Sequence, residues 1–173
     1  MGIEIEKKYT IKVLPKDLSS FPFHEIEQGY LNTDPAIRVR KEDAAYYMTY
    51  KGQGVMKHTE YNLPLDEVSY RHLLKKADGN IIRKKRYLIP LNADAYTALY
   101  LQNNSLLAEK IGNCEMVIEL DVFQAPFEQI VIAEVEFPTE EAAVQYHPAD
   151  WFLEDVTMDK TYSNSYMSSL KQK

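Results

Sequence analysis

Alternation of apolar and polar residues dominates the chain. In GIEIEKKYTI at the start, Ile3, Ile5, Tyr9 and Ile11 fall on one face of an extended strand, and Glu4, Glu6 and Lys8 on the other. The same period of two returns at 25–32, 36–41, 45–51, 57–63, 80–90, 116–123 and 129–137, which predicts eight strands in all. Turn residues join several of them tightly, at Thr33-Asp34-Pro35, Glu42-Asp43 and Gly52-Gln53-Gly54, so neighbours in sequence run antiparallel. Helical spacing interrupts at 65–77, where acid leads and base trails, and at 92–111 before Gly112, with Asn103-Asn104-Ser105 as a break point. Short helices are predicted at 139–146 and 160–170. Eight antiparallel strands commonly close on themselves to remove their edges, so the expected fold is α+β, mainly β: a closed eight-stranded barrel packed by surface helices.

The polar faces are not an ordinary mixture. Arg38 and Arg40 share one face, as do Glu119 and Asp121, and Glu134 and Glu136; Lys51 follows Thr49 in phase, Glu60 precedes Asn62, and Lys84 pairs with Arg86. Two arrangements are compatible with this. If the charged faces meet water, the apolar residues fill the barrel and the helices have little wall to pack against. If the apolar faces turn outward under the helices, Lys8, Arg38, Arg40, Lys51, Lys84 and Arg86 converge with Glu4, Glu6, Glu60, Glu119, Asp121, Glu134 and Glu136 on an interior tunnel. Charges confined in that way must be paired, hydrated or neutralised by a ligand. The ligand such a lining suits is a polyanion with Mg²⁺ or Mn²⁺, because Arg and Lys complement phosphate oxygens and clustered carboxylates suit a hard cation.

Composition narrows the rest. The length of 173 residues suits one domain, 1–173, with a core large enough to need no staple. One cysteine, Cys114, excludes an intrachain disulfide, and no signal peptide, lipidation signal or bilayer-length apolar run is found, so a cytoplasmic location is expected. A net charge of −6 argues against nonspecific binding to nucleic acid or to an anionic membrane. There is no GxSxG and no Walker-type phosphate loop, and Cys114 lacks a basic neighbour. His24, His58, His72 and His147 lack paired zinc spacing and are read as surface or packing residues.

Glu4-Ile5-Glu6-Lys7-Lys8 matches the ExExK signature of the CYTH superfamily, the triphosphate tunnel metalloenzymes. The resemblance continues in order through EQGYL at 27–31, Ile37-Arg38-Val39-Arg40-Lys41, Tyr50-Lys51-Gly52, Thr59-Glu60-Tyr61, Lys84-Lys85-Arg86-Tyr87, Glu119-Leu120-Asp121 and Glu134-Val135-Glu136-Phe137, and EDVTMDKTYSN at 154–164 resembles the closing segment of the bacterial inorganic triphosphatases. That resemblance implies hydrolysis of a triphosphate with Mg²⁺ or Mn²⁺ inside an eight-stranded tunnel. It implies that Glu4, Glu6, Glu134 and Glu136 hold metal, with Glu60, Glu119 and Asp121 as further or supporting ligands. It implies that Lys8, Arg38, Arg40, Lys51, Lys84 and Arg86 grip phosphate, with Lys160 at the tunnel end, and that Glu4, Glu6, Lys8 and Tyr30 are catalytic.

Tyr30 points inward in phase, placed to bond a phosphate or a tunnel lysine; its plainer reading is a sheet tyrosine in a chain with 13 of them. The chain departs from the pattern in the long stretch between Arg86 and Glu119, which reads as an added helical flap or cover over 92–112. The rival functions are ATP cyclisation, thiamine triphosphate hydrolysis and noncatalytic binding of polyphosphate or a nucleotide. The expected partner is a small-molecule triphosphate, with a homodimer open as the assembly.

Overall fold

The structure, a computed structural model, describes residues 2–54 and 56–170. Its strands are β1 (Gly2–Ile11), β2 (Phe23–Thr33), β3 (Ala36–Glu42), β4 (Ala45–Lys51), β5 (Lys57–Pro64), β6 (Asp78–Pro90), β7 (Val117–Phe123), β8 (Val131–Glu136) and β9 (Phe152–Asp155). Hydrogen bonding runs β5-β4-β3-β2-β6-β7-β8-β1, and β1 also pairs with β5, which closes an eight-stranded antiparallel barrel. β1 manages both contacts by length: residues 2–5 pair with β5 while residues 6–10 pair with β8. β9, which the alternation pattern had not revealed, adds to the free edge of β1 beyond β5.

The apolar faces turn outward. Ile5, Tyr9, Ile89, Ile118, Leu120, Ala133, Val135 and Phe137 form the main core on the outer wall of β1, β6, β7 and β8. The helices cover it: α2 (Ala98–Asn103), α3 (Ser105–Gly112) and α4 (Glu140–Gln145), through Tyr96, Leu107, Ala142, Ala143 and Tyr146. The 92–112 stretch is therefore a cover packed on the outer wall; the Tyr96 hydroxyl donates to the Ala142 carbonyl and ties it to α4. Thr97 and Thr139 cap α2 and α4 by accepting from Tyr100 N and Ala142 N.

On the opposite side α1 (Glu67–Leu74), capped by Asp66, crosses β2, β3 and β4. It crosses where Gly29 leaves room: a Cβ there would stand 2.7 Å from the Ala77 side chain and 2.8 Å from that of Leu74.

The inner wall is ionic over most of its height and apolar at one end. Ile82, Phe123 and Ile132 continue the inward phase of Lys84, Asp121 and Glu134, and pack with Tyr30, Phe127 and Met167. Met167 belongs to α5 (Asn164–Ser169), which the sequence pattern placed within one helix over 160–170 and which is separate from a 3₁₀ turn at Lys160–Tyr162. The side chain of Asn80 donates to the carbonyls of Met167 and Leu170 and fastens α5 across that end.

Candidate active site

Antiparallel register explains how the lumen is wired. On the β1–β5 pair Glu4 stands opposite His58, and on the β1–β8 pair Lys8 stands opposite Glu134 and Glu6 opposite Glu136. Arg86 faces Asp121 across β6 and β7, Lys51 faces Glu60 across β4 and β5, and Tyr30 faces Arg38 across β2 and β3. Because every second residue points inward, a few cross-strand pairs suffice to bring distant segments of the chain within bonding distance.

One corner is acidic with an imidazole. Glu4 Oε2 lies 2.6 Å from His58 Nε2 and 2.6 Å from Lys51 Nζ. Ligand atoms from Glu4, Glu6 and His58 all lie within 4.8 Å of one another. Burial works against the charge on Glu4, but His58 and Lys51 outweigh it and hold the carboxyl far below the usual range. Glu136 behaves oppositely: although exposed at the rim, its carboxyl is pushed up to about 8 by desolvation and by Glu119, Glu4 and Glu6. Carboxylates crowded so that one of them holds its proton near neutrality, beside an oxygen and nitrogen donor set of this spacing, fit a divalent cation.

Deeper in the barrel lies a dense ionic cluster. Lys8 Nζ is 2.5 Å from Glu134 and 3.0 Å from Glu6, and these carboxylates outweigh burial to raise its pKa. Arg86 bonds Asp121 through Nε and Nη2, both at 2.7 Å, reaches Glu134 at 2.5 Å and also pairs with Glu119. Lys84, 1 % exposed, pairs with Asp121. Its pKa is nevertheless lowered to about 8, because burial and the neighbouring Arg86 outweigh the attraction of Asp121 and Glu134.

The third part is a relay behind Arg40. Arg40 Nε donates to Gln28 Oε1 at 2.8 Å, Gln28 Nε2 donates to the Tyr30 hydroxyl at 3.2 Å, and Arg40 Nη1 donates to the Tyr47 hydroxyl at 3.2 Å. Tyr47 in turn donates to Glu42. Arg38 is less engaged: Tyr30 bonds it, Glu60 is 3.8 Å away, and its buried Nε has no hydrogen-bond partner among the described residues. A cavity of about 600 Å³ runs from Glu6, Lys8 and Arg38 past Gly52–Gly54 to Lys160 and the polar side of α5.

The ionic residues that alternation assigned to an interior share the inward strand faces, Lys84 and Arg86 among them, and of these Glu6, Lys8, Arg38 and Lys51 line the cavity. Lys160 lies off these faces, exposed at the cavity's far end. Glu4, Glu6 and Glu136 share the acidic corner, whereas Glu119, Asp121 and Glu134 are engaged by Arg86, Lys84 and Lys8. Sequence reading passed over His58, which is not a surface or packing residue but a buried neighbour of Glu4. The signal was its phase: it sits two residues before Glu60 on the same strand face. Tyr47 and Glu42 were also missed; Tyr47 shares the phase of Thr49 and Lys51.

A closed antiparallel barrel with an ionic interior, opened on a carboxylate corner and lined by arginine and lysine, is the architecture of the triphosphate tunnel metalloenzymes. No protein-family model matches the chain. An inorganic triphosphatase of Nitrosomonas europaea is 30% identical over 169 residues, covering 95% of this chain and 96% of that protein. An inorganic triphosphatase of Acetivibrio thermocellus is 30% identical over 173 residues, covering 95% and 92%. A crystal structure of an inorganic triphosphatase superposes with a TM-score of 0.64 at 29% identity, over 97% of this chain and 95% of that one. The chain belongs to the triphosphate tunnel metalloenzyme (CYTH) superfamily and stands close to its bacterial inorganic triphosphatases.

Proposed function

We propose that this chain, as a single domain over 1–173, hydrolyses inorganic triphosphate to pyrophosphate and orthophosphate with Mg²⁺ or Mn²⁺. The observation that carries the reading is that Lys8, Arg38 and Lys51 line one cavity with Glu6 and His58 of the acidic corner, while Arg40, Lys84 and Arg86 are buried on the same inward strand faces. Membership of the superfamily supports metal-dependent triphosphate hydrolysis, and the printed names of the two relatives support the inorganic substrate.

Glu4, Glu6 and Glu136, with His58, would hold the cation, which when bound neutralises phosphate oxygens and lowers the pKa of bound water. Lys8, Arg38, Lys51, Lys84 and Arg86 grip the phosphate chain, with Lys8, Arg38 and Lys51 on the cavity wall. Arg40 is held in a fixed attitude by Gln28 and Tyr47 and contributes a preorganised positive field. Tyr30 stands opposite Arg38, hydrogen-bonds to it and accepts from Gln28, which orients both. Glu60, Glu119, Asp121 and Glu134 keep the cations apart and aimed, and Lys160 meets substrate at the cavity mouth. In the reaction a water oxygen bonds to a terminal phosphorus, the bridging P–O bond breaks, and pyrophosphate leaves with its new charge met by the lysines and arginines.

The test offers purified protein with Mg²⁺ or Mn²⁺ to tripolyphosphate, ATP and thiamine triphosphate in parallel, with orthophosphate and cyclic AMP both measured. Orthophosphate from tripolyphosphate far above the other rates is the expected result. Cyclic AMP from ATP, or phosphate mainly from an organic triphosphate, would overturn the choice of substrate.

A further inference from the structure

The corner that would hold the cation is not built of carboxylates alone. β1 and β5 place His58 directly opposite Glu4, so its Nε2 is presented to the lumen in the same position along the barrel as the Glu4 carboxylate. His58 is 7 % exposed and lines the cavity, whereas the side chains of His24 and His147 lie on the outer surface. Two ligands of one small divalent ion, each at about 2.1 Å, stand no more than about 4.2 Å apart. The donor atoms of Glu4, Glu6 and His58 lie within 4.8 Å of one another, so a rotation of a few tenths of an ångström in each side chain brings them onto a single ion.

We infer that His58 is a direct nitrogen ligand of the cation and makes this site select Mn²⁺ over Mg²⁺. The inference rests on the metal-dependent reading above and specifies it. His58 Nε2 and Lys51 Nζ are both 2.6 Å from Glu4 Oε2. An ion at this corner would take the Nε2 lone pair of the neutral imidazole, whose one proton would then sit on Nδ1, and Lys51 would remain in contact with Glu4. Mg²⁺ demands oxygen donors in near-ideal octahedral array and gains little from imidazole, whereas Mn²⁺ accepts a mixed carboxylate and imidazole set. One nitrogen in the set is thus a selectivity device, fixed by strand register.

The experiment uses the full chain stripped of metal and titrated with Mn²⁺, with bound ion followed by electron paramagnetic resonance and Mg²⁺ added as competitor. The expected result is a pulsed-resonance coupling to directly bound nitrogen in the wild type, altered when the histidines are labelled with ¹⁵N. His58→Gln should lose that coupling and lower the ratio of Mg²⁺ to Mn²⁺ dissociation constants by about tenfold or more. Bound Mn²⁺ without nitrogen coupling in the wild type overturns the inference and leaves the proposed function standing; that measurement needs no variant to fold. A folded His58→Gln with an unchanged ratio overturns the selectivity. Wild type that takes up no Mn²⁺ at all overturns this inference together with the metal-dependent reading.

Discussion

Lys84 carries a conflict between burial and use. An ammonium at 1 % exposure beside Arg86 holds its proton only up to about pH 8, even with Asp121 against it. Lysine deprotonates as pH rises, so above that value the lumen has one positive charge fewer and triphosphate binds less tightly. KM for tripolyphosphate should therefore climb as pH increases from about 8. Lys84→Arg should move that rise to higher pH, since guanidinium does not titrate in this range, and pH profiles of KM for the two proteins in parallel check it. Glu6 belongs to the corner rather than to the buried cluster, although Lys8 touches it. Glu6→Gln should weaken divalent-cation affinity by at least about tenfold and reduce metal-dependent phosphate release with it. Calorimetric titration of Mn²⁺ reads the first effect, and full affinity in the variant would remove Glu6 from the site.

At the level of elements, β6 does the most to join fold and site. Its inward residues run from Ile82 in the apolar floor to Lys84 and Arg86 in the ionic cluster, while its first residues anchor α5. Gly79 has φ of 71° and passes so close to α5 that a Cβ would lie 2.0 Å from the Ser168 carbonyl oxygen. Backbone cannot give way cheaply there, so Gly79→Ala should destabilise the protein by about 1–3 kcal/mol, measured by denaturant unfolding. The same change should also lift α5 from the barrel end. Increased cleavage of the C-terminal segment by a protease, at denaturant concentrations where the barrel remains folded, would show it. Gly29 has a comparable role under α1, where the crossing helix leaves no space for a side chain.

The molecule as a whole is a barrel turned inside out relative to the usual distribution of charge. Its hydrophobic core lies between outer wall and helices, and its interior holds ion pairs whose separation from water costs several kcal/mol per ion unless each is matched. The acidic corner is the part left least matched, as the raised Glu136 carboxyl shows. Cation binding should consequently stabilise the fold even without substrate. At a concentration one hundred times Kd the gain is about 2.7 kcal/mol, which corresponds to a Tm rise of roughly 5–10 °C for a chain of this size. Thermal unfolding with and without Mn²⁺, and after chelator, measures it; an unchanged Tm would mean that the corner binds no ion.

Much of this was legible in the residues themselves. Strict alternation in EIEKK, AIRVRK and IELDVF put the charges on one face, and short Gly- and Asp-containing turns made the strands antiparallel neighbours. Helical segments needed an apolar wall to pack on, which favoured an ionic interior over a solvated one. For His58 only the face was legible, through its phase with Glu60; the β1–β5 register, set by closure of the barrel, is what puts it against Glu4. The division of the carboxylates into an acidic corner with an imidazole and a cluster engaged by Arg86 and Lys84 was likewise beyond reading, since alternation says which face a side chain takes but not which residue faces it across the sheet. Local chemistry, repeated every second residue, determined the faces and the character of the lumen. Long-range closure decided who meets whom there, because pairing register is a property of two strands and is written in neither alone.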